Sequence, residues 1–302
     1  MFSDCLQGLI IFMKIILNLF YKASAFVLLS SMLTSLSLAE SQWRLDWSDE
    51  FSGEGHPSEE NWTSLEGYLG FNKELQRYTS DLKNAFVKDG VLRIEVHSEP
   101  VFPSEFKRIE AEIQSHGGDT VELKNEEITS ARLVTYGKRA FSNARVEVRA
   151  RFSPGRGSWP AIWLLGDESK SPWPDCGEID IMEHVGHSPN IIHSSVHSKH
   201  SNFGQGNHSS EKIKVDSVEN FHVYGVEWSE DAIAFSVDGL VYHTLAKGDR
   251  EEDDWPFMDE DEFHVILNIA VGGGWAGKYG LDKEAFPFFM EIDYVRVFER
   301  LD

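Results

Sequence analysis

Apolar and polar residues alternate, or aromatic residues cluster, over ten stretches of the chain: 43–51, 90–97, 144–152, 159–165, 178–183, 192–197, 222–228, 232–237, 264–271 and 290–299. A period of two means that successive side chains face opposite sides of an extended backbone. Runs of this length, separated by Gly, Asn, Asp and Ser, predict short strands of an all-β sandwich or barrel. Asp238-Gly239, between 232–237 and 240–245, is a hairpin signal. Helical periodicity is scarce. The Glu- and Lys-rich stretch 104–115 is the exception, a surface helix or an acidic loop.

The strand 178–183 carries the most chemistry. Residues 177–186 read Gly-Glu-Ile-Asp-Ile-Met-Glu-His-Val-Gly, with three carboxylates inside an apolar run. Glu178 and Asp180 share a face. Glu183 lies five places after Glu178, out of phase, and one extra residue in the strand, a β-bulge, is needed to return it. Carboxylates crowded on one face keep a proton to unusually high pH, as a general acid must. Two carboxylates flanking a bond are the equipment for hydrolysing a glycosidic linkage. Strand neighbours two places apart lie roughly 7 Å apart along the chain. Side-chain tilt and the bulge bring Glu178 and Glu183 toward the roughly 5–5.5 Å of retaining enzymes, so retention is expected over inversion.

Composition sets the context. Residues 1–39 differ from the rest: Lys14 and Lys22 precede an apolar core that ends in Ser37-Leu38-Ala39, the pattern of a secretory signal peptide, with Met13 as an alternative start. The chain is therefore expected to be secreted or periplasmic, with no membrane association after cleavage. Residues 40–302 suffice for a single catalytic domain. The formal charge is −22; the leader holds two lysines against Asp4, so the mature part carries −23. Nucleic acid is excluded as a partner, and a neutral polysaccharide suits such a surface better than a sulfated one. Cys176 has no partner once Cys5 leaves with the leader, and is expected to be packed rather than catalytic.

Seven ordered segments resemble glycoside hydrolase family 16, bacterial laminarinases (endo-β-1,3-glucanases) in particular. They are Trp47-Ser48-Asp49-Glu50-Phe51, Asn72-Lys73-Glu74-Leu75-Gln76, Thr129-Ser130-Ala131-Arg132, Trp159-Pro160-Ala161-Ile162-Trp163, the stretch 176–186, the stretch 271–277, and Asp293-Tyr294-Val295-Arg296-Val297. The resemblance implies a jelly-roll sandwich of two antiparallel sheets with a concave cleft, acting by retaining double displacement on β-1,3-glucan. By position it makes Glu178 the nucleophile, Glu183 the acid/base and Asp180 the residue that tunes both. It places Trp159, Trp163, Trp275, Asn72 and His197 on the substrate. It implies no cofactor for catalysis but a structural Ca²⁺ held by Glu50, the Gly90 carbonyl and Asp293. A monomer is expected. Trp43, Trp47 and Trp228 are expected in the core, and His184 in packing behind the cleft. The chain departs from the family at Lys73, at Asn143-Ala144-Arg145 and at Gly274, which bears on subsite preference.

Other readings stay open at this stage. The same family includes mixed-linkage β-glucanases, agarases, carrageenases and β-glucan-binding proteins that have lost the catalytic glutamates. Three clustered carboxylates are also a possible metal-ligand set.

Overall fold

The computed structural model describes residues 43–301 apart from Gly70, Glu122, Glu252, Asp253 and Asp259. The expected leader, 1–39, lies outside the described residues. The strands are β1 (Trp43–Asp49), β2 (Thr63–Leu65), β3 (Arg77–Tyr78), β4 (Ala85–Lys88), β5 (Val91–Pro100), β6 (Glu126–Ser130), β7 (Arg132–Val134), β8 (Ala144–Phe152) and β9 (Ser158–Gly166). They continue as β10 (Glu178–Glu183), β11 (Ile191–His197), β12 (Ser209–Lys214), β13 (His222–Trp228), β14 (Ala232–Val237), β15 (Leu240–Ala246), β16 (Phe263–Val271) and β17 (Phe288–Arg300).

They form two sheets. One follows the order β15-β14-β13-β8-β17-β5-β6-β3, with β1 on β17 and β4 on β5; the other runs β12-β11-β10-β9-β16-β7-β2. The ladders of the second sheet are all antiparallel, and in the first β3 pairs in parallel with β6. The sheets meet in one apolar cluster that joins Val146, Val148, Ala150 and Phe152 of β8 to Ile162, Leu164, Ile179, Leu267 and Ile269 of the second sheet. Each such side chain contributes about 1.5–3 kcal/mol on burial.

Strand β8 shows why its sequence makes a half-buried strand. Its apolar positions are buried and Arg145, Glu147, Arg149 and Arg151 face out. On that outer face Arg93 and Arg151 grip the two oxygens of Glu291 at 2.5 and 2.6 Å. The Arg149 and Arg151 guanidinium groups also lie over the Phe221 ring. Strand β16 is instead buried at all nine positions, because one face meets the core and the other lies under the cleft. Asp89-Gly90 and Asp238-Gly239 both take positive φ at two successive residues, the left-handed geometry of tight hairpins, joining β4 to β5 and β14 to β15.

The stretch 104–115 is a helix, α1 (Pro103–Ser115), with Pro at its first turn and Phe106, Ile109 and Ile113 buried at helical spacing. Trp228 is buried as expected, and Trp47 packs partly buried on Trp62 and Phe141. Trp43 is only half-buried, since the β1 residues around it are largely exposed.

Candidate active site

Strand β10 lies between β9 and β11, and its rungs arrange the carboxylates in rows. Glu178 faces Leu165 and His197, Asp180 faces Trp163 and Ser195, and Glu183 faces Ala161 and His193. The ladder slips between Asp180 and Glu183 against both neighbours. That slip is the bulge the phase of Glu183 requires. Ile179, Ile181 and Met182 all point into the core, so two successive residues share one face and Glu183 rejoins Glu178 and Asp180.

All three carboxylates line one cavity of about 330 Å³. Its walls include Trp159, Trp163, Trp173 and Phe203; Asn72, Glu74, Arg132 and Asn268 supply polar atoms. Each outer glutamate receives an indole N–H: Trp173 Nε1 donates to Glu178 Oε2 at 3.0 Å, and Trp159 Nε1 donates to Glu183 Oε1 at 3.0 Å. His197 Nε2 lies 3.2 Å from Asp180 Oδ2 and 3.7 Å from Glu178 Oε1. Trp163 donates to Asn268 Oδ1 at 2.7 Å, and the Arg132 guanidinium sits 4.7 Å from its ring centre.

Burial dominates the electrostatics, because a carboxylate out of water favours its neutral form. Burial, then the neighbouring Asp180, raises the Glu178 pKa well above its ordinary value. Asp180 and Glu183 are pushed up to about 8, Asp180 by burial and Glu183 by burial and then by Asp180. Protons are therefore shared across the trio near neutral pH. Cys176 is buried, its thiol pushed up to about 12 mainly by burial, which makes it inert packing. Its carbonyl fills the space where a Cβ on Gly166 would sit, 1.9 Å away, so β9 meets the turn before β10 through a bare glycine.

The structure brings together Glu178, Asp180, Glu183, Trp159, Trp163 and Asn72 on the cavity. Asn72 is exposed, with a left-handed backbone. His197 is buried beneath Asp180 rather than lining the cavity. Trp275 also stands off the cavity wall, edge-on to Trp159 with ring centres 5.2 Å apart. His184 is fully buried against Phe152, as its position opposite Glu183 implied.

Two of the three expected calcium ligands pair with arginine. Arg296 holds both oxygens of Glu50 at 2.8 Å, and Arg149 holds Asp293 Oδ2 at 2.6 Å. Gly90 sits at the β4–β5 hairpin. In this arrangement Arg296 would have to release Glu50 before that carboxylate could bind a Ca²⁺ ion. Glu178, Asp180 and His197 each offer one ligand atom within 4.8 Å of the others, so a metal there is geometrically open.

Several lining residues were not singled out as site residues beforehand: Trp173, Phe203, Glu74, Arg132, Tyr78 and Asn268. Asn268 had a signal, as the one amide inside the apolar run 264–271. Glu74 and Arg132 stood inside segments that carried the family resemblance. Trp173 lies in a turn and Phe203 opens a one-turn 3-10 helix, where no periodicity marks a cleft.

Paired carboxylates, each under an indole donor and walled by aromatic rings, define a glycoside hydrolase on a two-sheet sandwich. Residues 103–296 match Glycosyl hydrolases family 16, and the chain belongs to that family. It is 43% identical over 267 residues to the beta-glucanase of Rhodothermus marinus, with 85% of each chain covered. The X-ray structure of the laminarinase from Rhodothermus marinus matches at a TM-score of 0.74 and 40% identity, covering 86% of this chain and 98% of that one. The endo-beta-1,3-glucanase from Pyrococcus furiosus matches at 0.71 and 36%, covering 86% and 95%. The jelly-roll expectation holds.

Proposed function

We propose that the chain is an exported, retaining endo-β-1,3-glucanase that cleaves laminarin-type glucans through a glycosyl-enzyme intermediate. The observation that carries this reading is the pair Glu178 and Glu183, flanking Asp180 in one aromatic-walled cavity, each with its own indole donor. The printed names of the relatives support the substrate class.

Protonated Glu183 donates to the glycosidic oxygen while the Glu178 carboxylate attacks the anomeric carbon from the other side. The Trp173 N–H steadies the attacking carboxylate. In the second step Glu183, now ionised, takes a proton from water, which displaces Glu178 and restores the configuration. Asp180 lies between the two glutamates, and in the protonation state where it is the ionised member of the trio it raises the Glu183 pKa, favouring the protonated acid before attack. Trp159 and Trp163 offer aromatic surface to sugar C–H faces.

Reducing-sugar release from laminarin, barley mixed-linkage glucan, agarose and carrageenan, measured side by side, tests the substrate. Laminarin should be cleaved fastest, and activity confined to a galactan would overturn the specificity. Glu178→Ala should lose roughly a thousandfold or more in kcat. Azide should restore part of that loss and yield an α-glycosyl azide; full activity without azide would remove Glu178 from the nucleophile role. Turnover should survive EDTA, and sensitivity to the chelator would favour the metal reading of Glu178, Asp180 and His197.

A further inference from the structure

Behind the acid/base lies a chain of rings that returns to its own rung. His193 is the residue across from Glu183 on β11. Its ring meets Trp275 edge-on, centres 5.0 Å apart and planes at 83°. Trp275 meets Trp159 the same way, at 5.2 Å and 84°. Trp159 closes the circuit by donating its indole N–H to Glu183 at 3.0 Å. Trp275 itself is not on the cavity wall. Its position is explained by the two rings it touches.

The imidazole meets Trp275 through its ring. His193 Nε2 is buried and has no hydrogen-bond partner. Burial, then the Lys212 charge and His187, lowers its pKa, which keeps the ring neutral. The groups facing it are Glu183 on β10, His184 and His187 just after β10, Lys212 across the rung on β12, and the neutral Trp275. Edge-to-face contacts are directional, so a ring at this place fixes the tilt of the next one. The last ring in the series carries an N–H that touches the acid.

We infer that His193 is a positioning residue for acid/base catalysis: its ring wedges Trp275 against Trp159 and so holds the indole N–H on Glu183. This rests on the reading of Glu183 as the acid/base. The hydrogen bond from Trp159 favours ionised Glu183. Losing it sends the pKa of the acid higher and leaves its carboxyl free to rotate.

The test compares His193→Ala, His193→Phe and Glu183→Gln on laminarin and on an aryl β-glucoside with a good leaving group. Glu183→Gln should fail on laminarin far more than on the aryl glycoside; equal losses would sink the acid/base reading itself, independently of His193. His193→Ala should lower kcat on laminarin about tenfold, a fraction of what general acid catalysis supplies. KM should change little, and the alkaline limb of kcat/KM should move to higher pH. His193→Phe keeps the ring without the nitrogens and should restore both. A wild-type kcat and alkaline limb in His193→Ala, or a His193→Phe as impaired as His193→Ala, would overturn the inference. Should His193→Ala not fold, Trp275→Ala breaks the same circuit one link on, and an unmoved alkaline limb there would overturn it equally.

Discussion

In the proposed mechanism Glu183 holds a proton before bond cleavage and releases it afterwards, and two opposing influences set when it does so. Burial and the Asp180 charge raise its pKa to about 8, while the Trp159 N–H lowers it. Asp180→Asn removes the negative neighbour and leaves the burial. The alkaline limb of kcat/KM should therefore move to lower pH, by roughly a unit or more. A limb that stays near pH 8 would mean that burial alone sets it. The same raised values make the trio a stability liability at high pH. The folded protein keeps protons on Asp180 and Glu183 that the unfolded chain, with ordinary values of 3.8 and 4.5, has released. Their contribution is full below those values and is lost as pH rises through about 8. Glu183→Gln, which cannot ionise, should melt roughly 2–4 °C above the parent at alkaline pH. The gain should shrink near pH 5, and an equal gain at both pH values would point to packing instead. At this scale the sequence showed the carboxylate trio that lines the cavity, because like charges in an apolar strand have few structural explanations. It did not show Trp173, whose partner Glu178 lies five residues on across a turn.

The bulge in β10 is an element-scale device, and it carries a prediction about phase. With Met182 present, Ile181 and Met182 both fill the core and Glu183 reaches the cleft. Deleting Met182 would leave Glu178, Asp180 and Glu183 two apart in simple alternation, still on one face. The variant should therefore keep measurable hydrolysis of laminarin while losing about 2–5 kcal/mol of stability for the missing buried side chain. Complete loss of hydrolysis in a folded variant would show that the bulge also tilts Glu183, beyond setting its face. Strands with clean alternation, such as β8, β13 and β14, were legible to the residue. Strands β2, β3 and β7, two or three residues long, are too short for any period to register. Strands β3 and β7 pair with the longer β6 and β16, and β2 extends the sheet from β7.

Across the whole molecule, a chain of formal charge −22 must close its sandwich where acidic residues gather. Here the structure answers with arginine. Strand β17 runs between β5 and β8, and its Glu291, Asp293 and Arg296 are tied to Arg93, Arg151, Arg149 and Glu50. Asp293 sits where the β17 ladder slips against β8, between Ile292 and Tyr294. A cation at this place would serve the same purpose. Each exposed pair is worth only about 0–1 kcal/mol, so the arginines would yield to an ion bound tightly enough. The two possibilities separate by mass action, since a specific ion raises Tm with the logarithm of its concentration. With ionic strength held constant by NaCl, added CaCl₂ should leave the parent Tm unchanged, because guanidinium groups already occupy both carboxylates. In Arg296→Ala, Glu50 is released, and a calcium-dependent rise in Tm should appear. A rise already present in the parent would show that calcium displaces Arg296, restoring Glu50, Gly90 and Asp293 as a metal site.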